Sequence, residues 1–206
     1  MKTNHNQLRT ALFAATMLVL LTSGLVRAEI VFDNTSNLTT AAAFSALPMG
    51  NQIRLSGTNR IVNEIDIGIT RQGYPGTADF QLWFYANDGS GNQPGTLLWN
   101  SGLIDNLPLI GSSQIMAFAV PQILVPDTFT WELQISDSRG VNEMAVGQLC
   151  SSSSPTVGTY VDAWFGNPGS WGNDHFQRAA RVVAIPEPAT LLLLGLGAAV
   201  LRKRHR

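Results

Sequence analysis

Apolar and polar side chains alternate residue by residue through three long stretches of this chain. That period of two decides most of what it can fold into. Asp79–Ala86 sets Phe80, Leu82 and Phe84 on one side and Gln81, Trp83 and Tyr85 on the other. Thr128–Ser136 sets Phe129, Trp131, Leu133 and Ile135 against Thr130, Glu132 and Gln134. In Arg60–Thr70, Ile61, Ile65, Ile67 and Ile69 share a side that Asn63 interrupts. A backbone that turns its side chains by 180° per residue is a strand with one face buried. Further strands are expected at Ile30–Asp33, Gln52–Ser56, Thr96–Asn100, Gln114–Val120, Glu143–Cys150, Tyr160–Phe165 and Gln177–Ala184. Sixteen glycines and eight prolines lie between residues 29 and 184, mostly between these runs, as turn punctuation. Only Thr39–Leu47 reads as a helical turn or two. Ten or so short strands predict an all-β fold, an antiparallel β-sandwich or jelly roll. A segment of this length buries enough apolar surface to fold without staples. It shows no repeat at a fixed period and no linker that would split it.

Charge is distributed unevenly. The whole chain carries −1, but residues 29–184 hold six Arg, no Lys and thirteen Asp plus Glu, so that segment is 6 − 13 = −7. A negative segment without a basic stripe is no nucleic-acid-binding face. The single cysteine, Cys150, excludes an internal disulfide framework and a cysteine-based zinc cluster.

The basic residues concentrate at the two ends. Met1–Arg9 is polar and carries Lys2 and Arg9, Ala11–Leu21 is an apolar run, and Leu25-Val26-Arg27-Ala28 offers suitable residues before a cut between Ala28 and Glu29. This is the layout of a secretory signal peptide, with the translocon and signal peptidase as partners. Residues 185–206 run Ile185-Pro186-Glu187-Pro188-Ala189-Thr190, then an uncharged stretch to Leu201, then Arg202-Lys203-Arg204-His205-Arg206. As a helix, Ala189–Leu201 reaches roughly 20 Å, short of the ~30 Å hydrocarbon core of a bilayer. Arg202, Lys203, Arg204 and Arg206 resist translocation and act as a stop-transfer cluster. Pro186 and Pro188 fix their own φ and hold Glu187 in extended chain, a displayed tag. The domains expected are therefore a signal peptide at 1–28, a β-sandwich ectodomain at 29–184 and a tail at 185–206.

The tail PEPATLLLLGLGAAVLRKRHR resembles the PEP-CTERM sorting signal of Gram-negative bacteria that export polysaccharide. The resemblance implies processing by a membrane-embedded exosortase that reads Pro186-Glu187-Pro188. It also implies a membrane-anchored precursor whose domain ends at the cell surface or in an extracellular matrix. Asn51–Thr58, the Phe84–Gly91 stretch and Pro94–Trp99 resemble exported bacterial β-domains called choice-of-anchor domains. That likeness bears on fold and location and implies no reaction.

Inside the domain the candidate chemistry is sparse. Asn87-Asp88-Gly89-Ser90-Gly91-Asn92 carries side-chain oxygens and glycines of the sort a Ca²⁺ site uses, without the spacing of an EF-hand. Asn-Asp and Asp-Gly are equally hairpin chemistry, and a plain hairpin loop is the reading taken. Trp164 and Trp171, with Asn and Asp nearby, either stack on a sugar ring or cap the open end of the sandwich, and capping is favoured. Asp174-His175 could form part of a triad, but no serine sits in a G-x-S-x-G elbow. Glu64, Asp66, Glu132 and Glu143 supply carboxylates for glycoside hydrolysis only if two of them meet in space. The expectation is a non-enzymatic structural or adhesive protein with no metal or cofactor, Ca²⁺ being the one candidate. A carbohydrate-binding module recognising exopolysaccharide is the alternative, and a secreted glycosidase ranks last.

Overall fold

The computed structural model describes residues 27–43, 47–140 and 146–187. Residues 1–26, with most of the expected signal peptide, and residues 188–206, with Pro188, the apolar run and the basic cluster, lie outside the described residues. Among the described residues no helix is long and apolar enough to cross a membrane. The chain divides into two units, Ala28–Ile185 and a second made of Met1–Arg27 with Pro186–Arg206.

Ala28–Ile185 is all-β. Its strands are β1 (Glu29–Asp33), β2 (Leu38–Ala43), β3 (Met49–Arg54), β4 (Ile61–Arg71), β5 (Gly76–Ala86), β6 (Leu97–Asn100) and β7 (Ile104–Leu109). They continue with β8 (Gln114–Leu124), β9 (Thr128–Gly140), β10 (Val146–Ser151), β11 (Thr159–Asn167), β12 (Ser170–Asn173) and β13 (Ala180–Ile185). One antiparallel sheet runs β1-β13-β4-β10-β2, with β8 on the other flank of β4. The second runs β12-β11-β3-β9-β5-β6, with β7 also on β5. We call them sheets A and B.

The two sheets enclose one core. Ile65, Ile67 and Ile69 of β4 and Phe118 of β8 face Phe80, Leu82 and Phe84 of β5 and Phe129, Trp131 and Leu133 of β9. Phe80 and Phe118, from opposite sheets, meet with ring centroids 5.8 Å apart, and Phe84 meets Phe129 edge-on at 5.1 Å. Six buried aromatic side chains and a larger number of Val, Ile and Leu fill this core, each worth roughly 1.5–3 kcal/mol when fully covered.

Three departures from the sequence reading have physical causes. Asn63 interrupts the isoleucine stripe because the ladders of β4 with β8 and β13 both shift register there. The extra residue reverses the side-chain phase, so Val62 points into the core on one side of it and Ile65 on the other. The expected helical turn at Thr39–Leu47 is corrected: Leu38–Ala43 is a strand, laid antiparallel along β10. Its alanines favour helix, but a helix this short is marginal alone, whereas the edge of β10 offers a ready ladder. Finally, β7 and β12 are strands that the alternation does not announce.

The chain crosses from sheet B to sheet A between β12 and β13, and a buried polar network fixes that crossing. The Arg178 carbonyl accepts from Asn34 Nδ2 at 2.9 Å and from Asn51 Nδ2 at 2.8 Å. The Arg178 N–H donates to Asn51 Oδ1 and the Ala180 N–H to Asn34 Oδ1. Gln148 of β10 reaches over from sheet A and donates to the carbonyls of Met49 and Leu133, paired residues of β3 and β9. An orphaned polar group in such a place costs about 1–3 kcal/mol. Asn51→Ala leaves the Arg178 N–H without that acceptor and should lower stability by about that amount, seen as a lower urea midpoint at unchanged m. Asn59→Ala at a half-buried position, which loses only a surface contact to Glu29, should stay within about 0.5 kcal/mol.

Candidate functional site

Sheet B turns its outer face toward the aromatic residues that the sequence singled out. Trp164, Gly50, Glu132 and Trp83 are register neighbours across β11, β3, β9 and β5, and Gln52, Thr130 and Tyr85 form the adjacent row. Glycine is required at position 50, because a Cβ there would lie 1.7 Å from the Trp131 carbonyl oxygen. The β11–β12 hairpin turns through Asn167-Pro168-Gly169-Ser170, with Gly169 at φ +88°. Proline followed by a left-handed glycine suits a type II turn.

In strand order β12 is four places from β5, a span of roughly 19 Å along a flat sheet. Yet the Trp171 and Tyr85 rings meet edge-on at 5.4 Å. The hairpin therefore curls back over the outer face. Trp164 is buried beneath this cover and donates its Nε1–H to Gln52 Oε1 at 3.1 Å. Trp171 is half-buried. The two tryptophans cover a sheet face, where the sequence reading had them capping an end.

Under the cover lies Glu132, fully buried, with neither carboxyl oxygen finding a hydrogen-bond partner among the described residues. Burial pushes its carboxyl up to about 9, against the opposing pull of the Arg178 guanidinium. Burial, and then the Glu132 charge, push the Tyr85 hydroxyl up to about 12. Tyr160 also rises to about 12, first from burial and then from Asp162. Alternation places Glu132 opposite the core face, and the sequence gives no sign that the opposite face is covered too.

The other candidates separate. Asp174 pairs with the guanidinium of Arg178, not with its chain neighbour His175. His175, 84 % exposed, stands 3.8 Å from Asp162. Asp66 is taken by Arg181 at 2.5 Å on the outer face of sheet A, where Glu64 also sits. Glu132 belongs to the other sheet, and Glu143 lies outside the described residues. In the loop after β5, Asp88 Oδ1 accepts the Thr96 N–H at 2.7 Å and Oδ2 accepts the Thr96 hydroxyl at 2.6 Å. These bonds to Thr96 hold its carboxyl below the usual range. Asn87 donates to the Thr130 hydroxyl, so both residues close a hairpin loop that contains one 3₁₀ turn, Ser90–Asn92. Among the described residues no group of three or more His, Cys, Asp or Glu is placed to hold a metal ion.

The sorting segment is the second site. Ala28 and Glu29 are exposed at the start of β1, and Glu29 pairs with Ala184 near the end of β13. The expected new N-terminus and the start of the tail thus stand on neighbouring strands. Ile185 is the last ladder residue, Pro186 is half-buried and Glu187 is exposed. The class that emerges is a two-sheet antiparallel β-domain leading straight into a proline-flanked carboxylate. Residues 184–206 match the family model of the PEP-CTERM protein-sorting motif. The chain carries that motif, which implies an exported protein, a membrane-anchored sorting signal and processing by exosortase, a membrane enzyme. No curated protein and no solved structure matches the chain, so the likeness to choice-of-anchor domains rests on its quoted residues alone.

Glu132 gives the domain a pH signature. Its carboxyl ionises near 4.5 in the unfolded chain and near 9 in the folded one. Between those values the folded protein holds a proton that the unfolded chain has released. Its contribution is therefore greatest below about pH 4.5 and declines as pH rises toward about 9. Glu132→Gln should flatten that profile in thermal melts. At ~2–4 °C per kcal/mol for a domain this size, it should raise Tm by several degrees at about pH 8 and by little at about pH 4.

Proposed function

We propose that the exported domain is a non-enzymatic structural or adhesive component of an extracellular polysaccharide layer, released there once its tail is processed. The observation that carries this reading is the charge of the domain: residues 29–184 have a net −7 and no lysine. Two of the six arginines, Arg71 and Arg178, are buried, while Glu29, Asp88, Asp105 and Asp127 are exposed. A surface of that sign stays soluble at high density and joins acidic polysaccharide through divalent cations such as Ca²⁺ without needing a built metal site.

A carbohydrate-binding module is the second reading, favoured by one observation. Trp171 keeps part of its ring in solvent, and Phe176, 54 % exposed, follows on the same segment. Aromatic faces beside Asn173 and Asp174 suit a pyranose. Trp164, buried beneath the hairpin, would then support the platform from below.

Titration of the purified domain with the host's exopolysaccharide separates the two. The structural role should give association that needs millimolar Ca²⁺, does not saturate at a defined stoichiometry and survives Trp171→Ala. Saturable binding abolished by Trp171→Ala would favour the sugar-binding module. Intact-mass measurement on envelope and culture-fluid fractions should find a species beginning at Glu29 and ending near Pro188. A released species that still carries Leu191–Arg206 would defeat the processing step.

A further inference from the structure

The end of sheet A from which the tail departs carries an uncovered apolar face. Ile185 pairs with Ile61, and Ile61 pairs with Leu124, so the three side chains form a row across β13, β4 and β8 on the outer face. Beside it Ile30 pairs with Val183. Along β8 the same face continues through Ala119, Ala117 and Ile115. Leu124 is 60 % exposed, Ile30 38 % and Ile115 42 %. Charge on this face is sparse: Arg181 stands in register between Asp33 and Asp66 and pairs with Asp66, and the half-buried Glu64 is the further carboxylate. A weakly charged apolar sheet face of this kind marks an interaction surface.

Chain length selects the occupant. Only Pro186, Glu187 and Pro188 separate the last ladder residue, Ile185, from the uncharged run that begins at Ala189. Four extended steps span at most ~14 Å, and two prolines stiffen them. The row Ile185–Ile61–Leu124 therefore cannot stand far from the membrane that holds the sorting signal. The opposite end of β4 is ten steps away, roughly 33 Å.

We propose that in the membrane-anchored precursor this outer face of sheet A lies on the lipid interface, with Leu124, Ile30 and Ile115 as its contacts. The proposal rests on the reading of the tail as a membrane-anchored sorting signal. Docking of this face would hold Pro186-Glu187-Pro188 at the level of the headgroups, where a membrane enzyme reaches it. Processing then releases the face, since single apolar side chains without the tail bind lipid weakly.

The test uses the full chain in phosphatidylcholine vesicles that contain the dibrominated-acyl lipid. Bimane is attached at Leu124→Cys or, on the outer face of sheet B, at Ser170→Cys in the exposed β11–β12 turn, with wild-type chain as the blank for the buried Cys150. The expected result is loss of bimane emission at Leu124→Cys and none at Ser170→Cys. Ile30→Glu with Ile115→Glu should restore emission at Leu124→Cys while the chain still floats with the vesicles. Both substituted positions are exposed, so neither change disturbs the core. Quenching that persists in the double-glutamate chain would mean that tether length alone brings Leu124 near lipid, and would overturn docking. Equal emission at the two probe positions in a floating chain, or Leu124→Cys cross-links between chains, would also overturn it, the latter in favour of a second copy as occupant. A chain that does not float would defeat the anchor reading itself and this proposal with it.

Discussion

Everything in the domain depends on how three residues of backbone, Arg178 to Ala180, cross between the sheets. A connecting segment in a buried place must find partners for its own N–H and C=O groups, because water cannot supply them there. Two asparagines do this work by imitating a strand. Asn51 both donates to and accepts from the Arg178 peptide, and Asn34 joins the Arg178 carbonyl to the Ala180 N–H. One asparagine follows β1 of sheet A, and the other lies in β3 of sheet B. The crossing is thus fixed to both layers at once. From it the chain enters β13, which pairs with β1 and β4 and so closes sheet A.

The same crossing shapes the far side of sheet B. The Arg178 side chain is fully buried and bonds the Gly50 carbonyl, the Phe176 carbonyl and Asp174. It therefore holds the segment that follows the β11–β12 hairpin against the sheet. With the hairpin drawn over the outer face, Trp171 reaches Tyr85 and Glu132 is left in a dry place. A carboxyl in such surroundings keeps its proton, since ionisation would strand a charge that Arg178 offsets only in part. Stability is given up for a covered sheet face, a local conflict of the sort that natural sequences retain where the surrounding packing over-determines it.

Much of the fold was legible from alternation alone. The three long periodic stretches are β4, β5 and β9, and each sends the expected apolar side chains toward the core, except Ile61, which the bulge at Asn63 turns to the outer face. Even the interruption at Asn63 was visible, although its meaning as a bulge needed the partners on both flanks of β4. Thr39–Leu47 misled because alanine-rich chain reports helix propensity and says nothing about a vacant strand edge. In the loop at Asn87–Asn92, the residue types suit both cation binding and hairpin closure, and the bonds from Asp88 to Thr96 show closure. Trp164 and Trp171 stood out as a pair in the sequence, but whether their rings open to solvent depends on the direction in which the hairpin curls.

The sequence by itself determined the β-rich middle, its acidic and lysine-free charge, and the sorting motif at residues 184–206, because periodicity, composition and a contiguous motif are local properties of a chain. Only the tertiary structure decided that Asp174 serves Arg178 and not His175, and that Glu132 is buried on the face expected to meet water. It alone placed β1 beside β13, so that the expected start of the mature domain and the root of its tail share one end of a sheet. Each of these depends on contacts between residues far apart in the chain. Long-range pairing is set by how the two sheets close on each other, and no local pattern encodes it.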